Sequence, residues 1–131
     1  MDEKIEVAVT GNAFKHIASE SVKDPYVLDS VIAKAKVFAR MGPDDKANLV
    51  EKMQTILQEQ VGMCGDGAND CGALKTANVG ISLSEAEASI AAPFTSAVQT
   101  IECVVTLLRE GRAAMATSFQ SFKFIELYAM I

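Results

Sequence analysis

The chain has 131 residues, half of them apolar and 22% charged, which permits one hydrophobic core and excludes a disordered chain. Its formal net charge is −5 with no basic patch, which argues against nucleic acid as its main partner. Cys64, Cys71 and Cys103 are odd in number and lack paired metal-ligand spacing, so they read as free thiols of a reducing compartment.

Glu6 to Thr10 (EVAVT) alternates like a strand and meets Gly11-Asn12, a turn signal. A Thr-Gly pair after a strand can open a phosphate loop, but no further glycines follow, and Thr10-Gly11 reads as a structural turn. His16, beside a lysine, reads as a solvated histidine. Asp24-Pro25 reads as a helix N-cap followed by proline at the first helical position, with Leu28, Val31, Ile32 and Ala35 at helical spacing. Val37 to Ala39 is a short apolar strand ended by Arg40-Met41-Gly42-Pro43.

A second helix opens with Pro43-Asp44-Asp45, acid-rich in its first turn as the helix dipole favours, and carries Leu49, Val50, Met53, Ile56 and Leu57 on one face. Val61 to Cys64 is the next strand, Asp70 to Ala77 a short helix, and Val79 to Leu83 another strand. Asn78 suits the left-handed position that closes the short helix. Strands alternating with helices predict a parallel, doubly wound α/β sheet. Ligands of such sheets bind beyond the carboxyl ends of the strands, where Arg40-Met41 and Asp66 both fall.

Ser84 to Ala92 then reads as a serine-capped helix ended by Pro93, and Thr95 to Arg109 as an amphipathic helix broken at Gly111-Arg112. From Ala113 onward the pattern is helical, as if a helix were cut off just where it turns hydrophobic. The apolar run from Phe119 to Ile131 is interrupted by Lys123 and Glu126 and falls short of the ~20 residues a bilayer requires. No secretory signal is visible, because the first ten residues are charged and lack an apolar core.

The run Met63 to Lys75, which contains GDGANDCGALK, carries the chemistry. Two glycines flank Asp66, and Asp70 follows four residues later, so a turn-plus-helix can point both carboxylates into one crevice. Magnesium is held by one or two carboxylates together with substrate oxygens and waters. The structural alternative is a Gly-Asp-Gly turn with Asn69 or Asp70 capping a helix. Lys46, taken alone, is a solvated first-turn charge. Because its segment also starts from a strand end, its ammonium can reach the same crevice and neutralise a phosphoryl oxygen or a buried carboxylate. A nucleophile is missing: none of Asp2, Glu3, Glu6, Glu20, Asp24 or Asp29 ends an apolar strand and enters a Lys-Thr-Gly-Thr-like loop.

These residues resemble the P-type ATPases, pumps that phosphorylate themselves on an aspartate. Gly65 to Lys75 is similar to their hinge motif GDGxNDxxALK, and Phe38 to Lys46 (FARMGPDDK) to their conserved-lysine segment. Val79-Gly80-Ile81-Ser82 resembles the strand after the hinge, Glu110-Gly111-Arg112 the turn before the fifth stalk helix, and Val9 to Phe14 a TGxxF turn. Cys71-Gly72 after the Asn-Asp pair, Pro93-Phe94-Thr95-Ser96 and Ile101-Glu102-Cys103 resemble the fifth subfamily, in its B branch of polyamine or cation exporters of endosomal and lysosomal membranes.

The resemblance implies a partial haloacid-dehalogenase-like Rossmannoid fold, an incomplete parallel sheet with helices followed by a long C-terminal helix. Residues 1–110 would be part of a phosphorylation domain on the cytosolic side, and 111–131 a stalk helix leading into the membrane. It implies catalytic roles for Lys46, Asp66, Asn69 and Asp70, phosphate or nucleotide contacts from Lys46, Gly67 and Asn69, and Mg²⁺ ligation by Asp66 and Asp70. Lys75 would be structural. Mg²⁺ is the implied cofactor, ATP the substrate of the full-length family, and a cation or polyamine its cargo.

The same resemblance places the acceptor strand centrally, beside the strand ending at Asp66, so this chain is expected to be inactive alone. The strand at Val37 then loses its usual connection, and an open sheet edge with an apolar tail invites self-association. The alternatives are a truncated, non-enzymatic binding or regulatory module and a small soluble phosphatase of the same superfold.

Overall fold

A computed structural model describes residues 6–20, 25–85 and 87–131. The N-cap expected at Asp24 therefore lies outside the described residues. The architecture is mixed α/β, with short parallel sheets, helices between strands, and a long C-terminal helix.

Strand β1 (Val7–Thr10) leads into helix α1 (Gly11–Glu20), and helix α2 (Pro25–Lys34) precedes strand β2 (Ala35–Ala39). Strands β1 and β2 pair in parallel, with Thr10 opposite Ala39 at their carboxyl ends. Val9, Phe14, Leu28 and Ile32 form the core of this half, and the Phe14 and Phe38 rings meet edge to face at 6.3 Å. Helix α1 replaces the expected turn at Gly11-Asn12. Its backbone starts directly from Thr10, whose hydroxyl accepts a hydrogen bond from the Ala13 N–H at 3.4 Å, the geometry of an N-cap. His16 is exposed, as its sequence setting suggests.

Helix α3 (Pro43–Ile56) follows, then strand β3 (Gly62–Gly65), a 3₁₀ turn (Ala68–Asp70), helix α4 (Cys71–Thr76), strand β4 (Val79–Ser82), a second 3₁₀ turn (Glu87–Ala91) and strand β5 (Phe94–Thr95). Strands β3, β4 and β5 form a second parallel sheet, in which Gly65 lies opposite Ser82 and Ser82 opposite Thr95. Leu74, Ala88 and Ala91 form its small core, with Met63 and Cys71 packed against them.

The single sheet expected from the alternation is thus two sheets, and no ladder joins β2 to β3 among the described residues, which agrees with the lost connection of the Val37 strand that the family resemblance implies. Helix α3 links the halves. Its Leu49, Met53 and Ile56 pack on the first core, while Gly72 of α4 faces Ala47, whose methyl would meet a Cβ there in ordinary contact at 3.6 Å.

Local departures have local causes. Asn78 is not left-handed: Arg40 and Gln58 are the non-glycine residues with positive φ among those described. The Asn78 side-chain oxygen instead accepts hydrogen bonds from Val61 N–H at 2.8 Å and Gln54 Nε2 at 2.9 Å, which ties the end of α4 to the start of β3 and to α3. The helix expected over Ser84 to Ala92 shortens to 3₁₀ geometry ahead of Pro93, and the start of the expected Thr95 helix is taken by β5. Helix α5 (Glu102–Met130) runs unbroken through Gly111-Arg112.

No residue of α5 is buried, and Phe119, Phe122, Phe124, Ile125, Leu127 and Met130 are exposed. Among the described residues, no helix is long and apolar enough to cross a membrane.

Candidate functional site

The candidate site is built at the carboxyl ends of β2 and β3. Strand β3 stops at Gly65, and the chain turns through Asp66 and Gly67 into the 3₁₀ turn, closed by Asp70 N–H donating to Gly67 O at 3.0 Å. The turn folds Asp70 back over the strand end. A Cβ on Gly65 would lie 2.7 Å from both the Cβ and Oδ2 of Asp70, so only glycine leaves room for that carboxylate. Gly67 differs. Its φ of −115° is open to any residue, and the nearest atoms to a Cβ there would stand at 3.9 Å.

Lys46 comes from the first turn of α3. Its Nζ donates to Asp70 Oδ1 at 2.7 Å, with side chains 33% and 11% exposed, so a partly exposed ammonium meets a nearly buried carboxylate. The lysine segment and the Gly-Asp-Gly turn therefore meet in one place, and the partner of Lys46 within this chain is a carboxylate. Asp66 and Asn69 are exposed on the same turn, and their side chains make no hydrogen bond or ion pair among the described residues. Lys75 is exposed in the last turn of α4, where a cation favours the helix dipole. A crevice of about 440 Å³ beside Lys46 is lined by Phe38, Arg40, Met41, Leu49, Val50 and Met63. Its lining takes Phe38 from β2 and Met63 from β3, strands that no ladder joins.

The motifs do not reveal what holds the lysine segment in place. Arg40, just after β2, has φ of 54°, a left-handed conformation that a side chain makes costly. Asp45 is buried, and its Oδ2 accepts from Gly42 N–H at 3.1 Å and from Lys15 Nζ of α1 at 3.2 Å. The one legible trace of this arrangement is an aspartate three residues after Gly42, the spacing of a carboxylate that reaches back to the start of a helix. Its partner Lys15 lies thirty positions earlier and carries no local signal.

Cys64, in β3, is half-buried. Burial pushes its thiol pKa up first, and Cys103, Asp66 and Asp70 push it further the same way. The neutral thiol form is thereby favoured.

No group of three or more histidine, cysteine, aspartate or glutamate side chains converges among the described residues. The donors on offer are the exposed Asp66 carboxylate and the Oδ2 of Asp70, since Asp70 Oδ1 is taken by Lys46. That set does not suit a metal caged by protein alone. It does suit Mg²⁺, which takes one or two carboxylates and completes its shell with water and phosphate oxygens.

No family model matches the chain. Individual proteins do. It is 55% identical over 124 residues to the probable cation-transporting ATPase 13A4 of Homo sapiens, covering 95% of this chain and 10% of that protein. It is 57% identical over 106 residues to the polyamine-transporting ATPase 13A2 of Homo sapiens, covering 81% of this chain and 9% of the relative. With the vacuolar cation-transporting ATPase YPK9 of Saccharomyces cerevisiae it shares 50% identity over 126 residues, covering 95% of this chain and 8% of that protein. The chain thus spans about a tenth of the length of the curated relatives it matches.

Proposed function

The chain matches a fragment of the 13A family of cation- and polyamine-transporting P-type ATPases, and we propose that it supplies the metal- and phosphate-facing half of a pump's phosphorylation site. The observation that carries this reading is the contact of Lys46 Nζ with Asp70 Oδ1 at the end of β3, which brings the family's two motifs together.

In this reading Asp66 would be the principal Mg²⁺ ligand with Asp70 assisting, and the ion would supply positive charge beside the phosphoryl group. Lys46 stands between Asp70 and the phosphoryl oxygens, where its ammonium neutralises negative charge that builds during transfer. Asn69 donates a hydrogen bond to the phosphoryl group from the exposed side of the turn. Gly67 leaves its backbone bare for close approach, which agrees with the space around it.

The attacking aspartate comes from outside these 131 residues, on a strand seated between β2 and β3. The 131 residues by themselves therefore form no phosphoenzyme. In the complete pump, ATP is the phosphoryl donor and a cation or polyamine the cargo. Residues 1–110 then belong to a phosphorylation domain on the cytosolic side, and 111–131 continue toward an endosomal or lysosomal membrane.

The test is phosphorylation of the full-length protein with radiolabelled ATP and Mg²⁺. An acid-stable, hydroxylamine-labile phosphoenzyme is expected, and Lys46→Met or Asp66→Asn slows its formation at least about a hundredfold. Unchanged phosphorylation in both variants overturns the reading, as does a phosphoenzyme formed by the 131 residues alone.

A further inference from the structure

We propose that Lys15, on the helix that leaves the corner between β1 and α1 beside Gly11, is a positioning residue for Lys46. The inference rests on the reading of Lys46 as a phosphoryl-facing lysine and assigns a residue outside the segments that carry the family resemblance.

One contact steadies the approach to the lysine segment. Arg40 leaves β2 in a left-handed conformation, which persists only where surrounding structure dictates it. A Cβ on Gly11 would lie 2.4 Å from the Arg40 carbonyl oxygen and 3.3 Å from the Met41 Cα. The bare backbone of Gly11 thus lets the end of β1 press directly against the turn that aims the chain into α3.

The second contact steadies the helix start. The N–H of Gly42 donates to Asp45 Oδ2 at 3.1 Å, and its carbonyl accepts from the N–H of Lys46 at 3.0 Å, so the residue is held on both sides. Asp45 is buried, and a buried carboxylate needs a counter-charge. Lys15 of α1 supplies it at 3.2 Å. Asp45 immediately precedes Lys46, so the Lys15 ion pair fixes the turn from which the Lys46 stem departs. A displacement of 1 Å in a catalytic group is enough to slow a reaction markedly. Lys15 is thus a positioning residue that works through Asp45, from a side chain 63% exposed on the far helix.

The experiment measures single-turnover phosphoenzyme formation in the full-length protein for wild type, Lys15→Met, Lys15→Gln, Lys15→Arg and Lys46→Met. Lys15→Met and Lys15→Gln are expected to lower the maximal rate about two- to fivefold, the range of a partly exposed ion pair, with the half-saturating ATP concentration unchanged. Lys15→Arg restores the rate. High salt slows wild type toward Lys15→Met and leaves Lys15→Met little changed.

A purely structural surface role would not produce this split of rate from ATP dependence, nor rescue by arginine alone. Rates are compared per folded molecule, with urea midpoints as the check. A wild-type rate in Lys15→Met and Lys15→Gln overturns the inference, as does an equally slow Lys15→Arg. If Lys46→Met itself phosphorylates normally, the reading of Lys46 as a phosphoryl-facing lysine fails; if Lys46→Met is inactive while the Lys15 variants match wild type, only the positioning role fails.

Discussion

Lys46 and Asp70 sit twenty-four positions apart and meet at 2.7 Å, and this one ion pair joins the helix of the first half to the strand-end turn of the second. The Asp70 side chain is only 11% exposed, so losing the partly exposed Lys46 leaves a largely desolvated carboxylate without its counter-charge. Lys46→Met is therefore expected to destabilise the protein by about 1–3 kcal/mol. The double variant Lys46→Met/Asp70→Asn recovers part of that loss, because the charge left buried is removed. Urea denaturation of the two single variants and the double gives the coupling energy, and additive effects would mean that the pair contributes nothing.

The two glycines flanking Asp66 have different jobs. Gly65→Ala drives a methyl into Asp70 and is expected to cost about 1–3 kcal/mol, the range for overpacking a tight site. Gly67→Ala meets only ordinary contacts at a permitted φ, so its stability stays the same or rises by up to about 1 kcal/mol. Under the proposed function, Gly67→Ala still slows phosphorylation, because the added methyl occupies the space of the approaching phosphoryl group. Stability and phosphoenzyme formation measured on the same samples separate the two roles.

What could be read in the sequence was local and periodic. The apolar runs at Val37 and Val61, the acidic start of α3 and the Gly-Asp-Gly turn all declare themselves within a few residues. Thr10-Gly11-Asn12 was misleading because the same residues serve a turn or a helix cap, and Phe14 and Ile17 give α1 only a narrow apolar face. The Lys15–Asp45 pair and the Gly11–Arg40 approach are tertiary contacts between segments distant in sequence, so no local pattern encodes them. The split into two sheets depends on which strands find partners; periodicity does not specify that, and it is the lack of an acceptor strand, implied by the family resemblance, that points to an unjoined strand at Val37.

Asn78 shows how a plausible local rule loses to a tertiary contact. A left-handed cap would make Asn78→Gly harmless, since glycine is the residue best suited to that conformation. With its side-chain oxygen instead receiving Val61 N–H and Gln54 Nε2, both Asn78→Gly and Asn78→Ala are expected to lose about 1–2 kcal/mol. Equal losses in a urea titration support the observed network, and a neutral glycine variant would restore the cap.

Cys64 makes a prediction in pH. Its thiol pKa is raised above the ordinary 9.0, so the neutral form is favoured in the folded protein. A group of this kind adds stability that is fully present below the unfolded value and is lost as pH climbs through the folded one. Its alkylation by iodoacetamide, followed peptide by peptide, is therefore expected to stay slow at pH 7–8 and to rise with a midpoint above 9.0. A midpoint below that value would contradict the partial burial of Cys64 within β3.

Gly111 tests whether the break expected in the last helix exists at all. Helix α5 passes through it without interruption, and a Cβ there would meet nothing within 4 Å. If the helix is continuous, Gly111→Ala removes unfolded-state freedom without creating a clash and stabilises the helix by about 0.5–1 kcal/mol. Circular dichroism at 222 nm would then show a higher thermal midpoint and no loss of helical signal. A hinge at Gly111-Arg112 requires the opposite, because a residue that must leave helical geometry is strained by alanine, and the helical signal or the midpoint would fall.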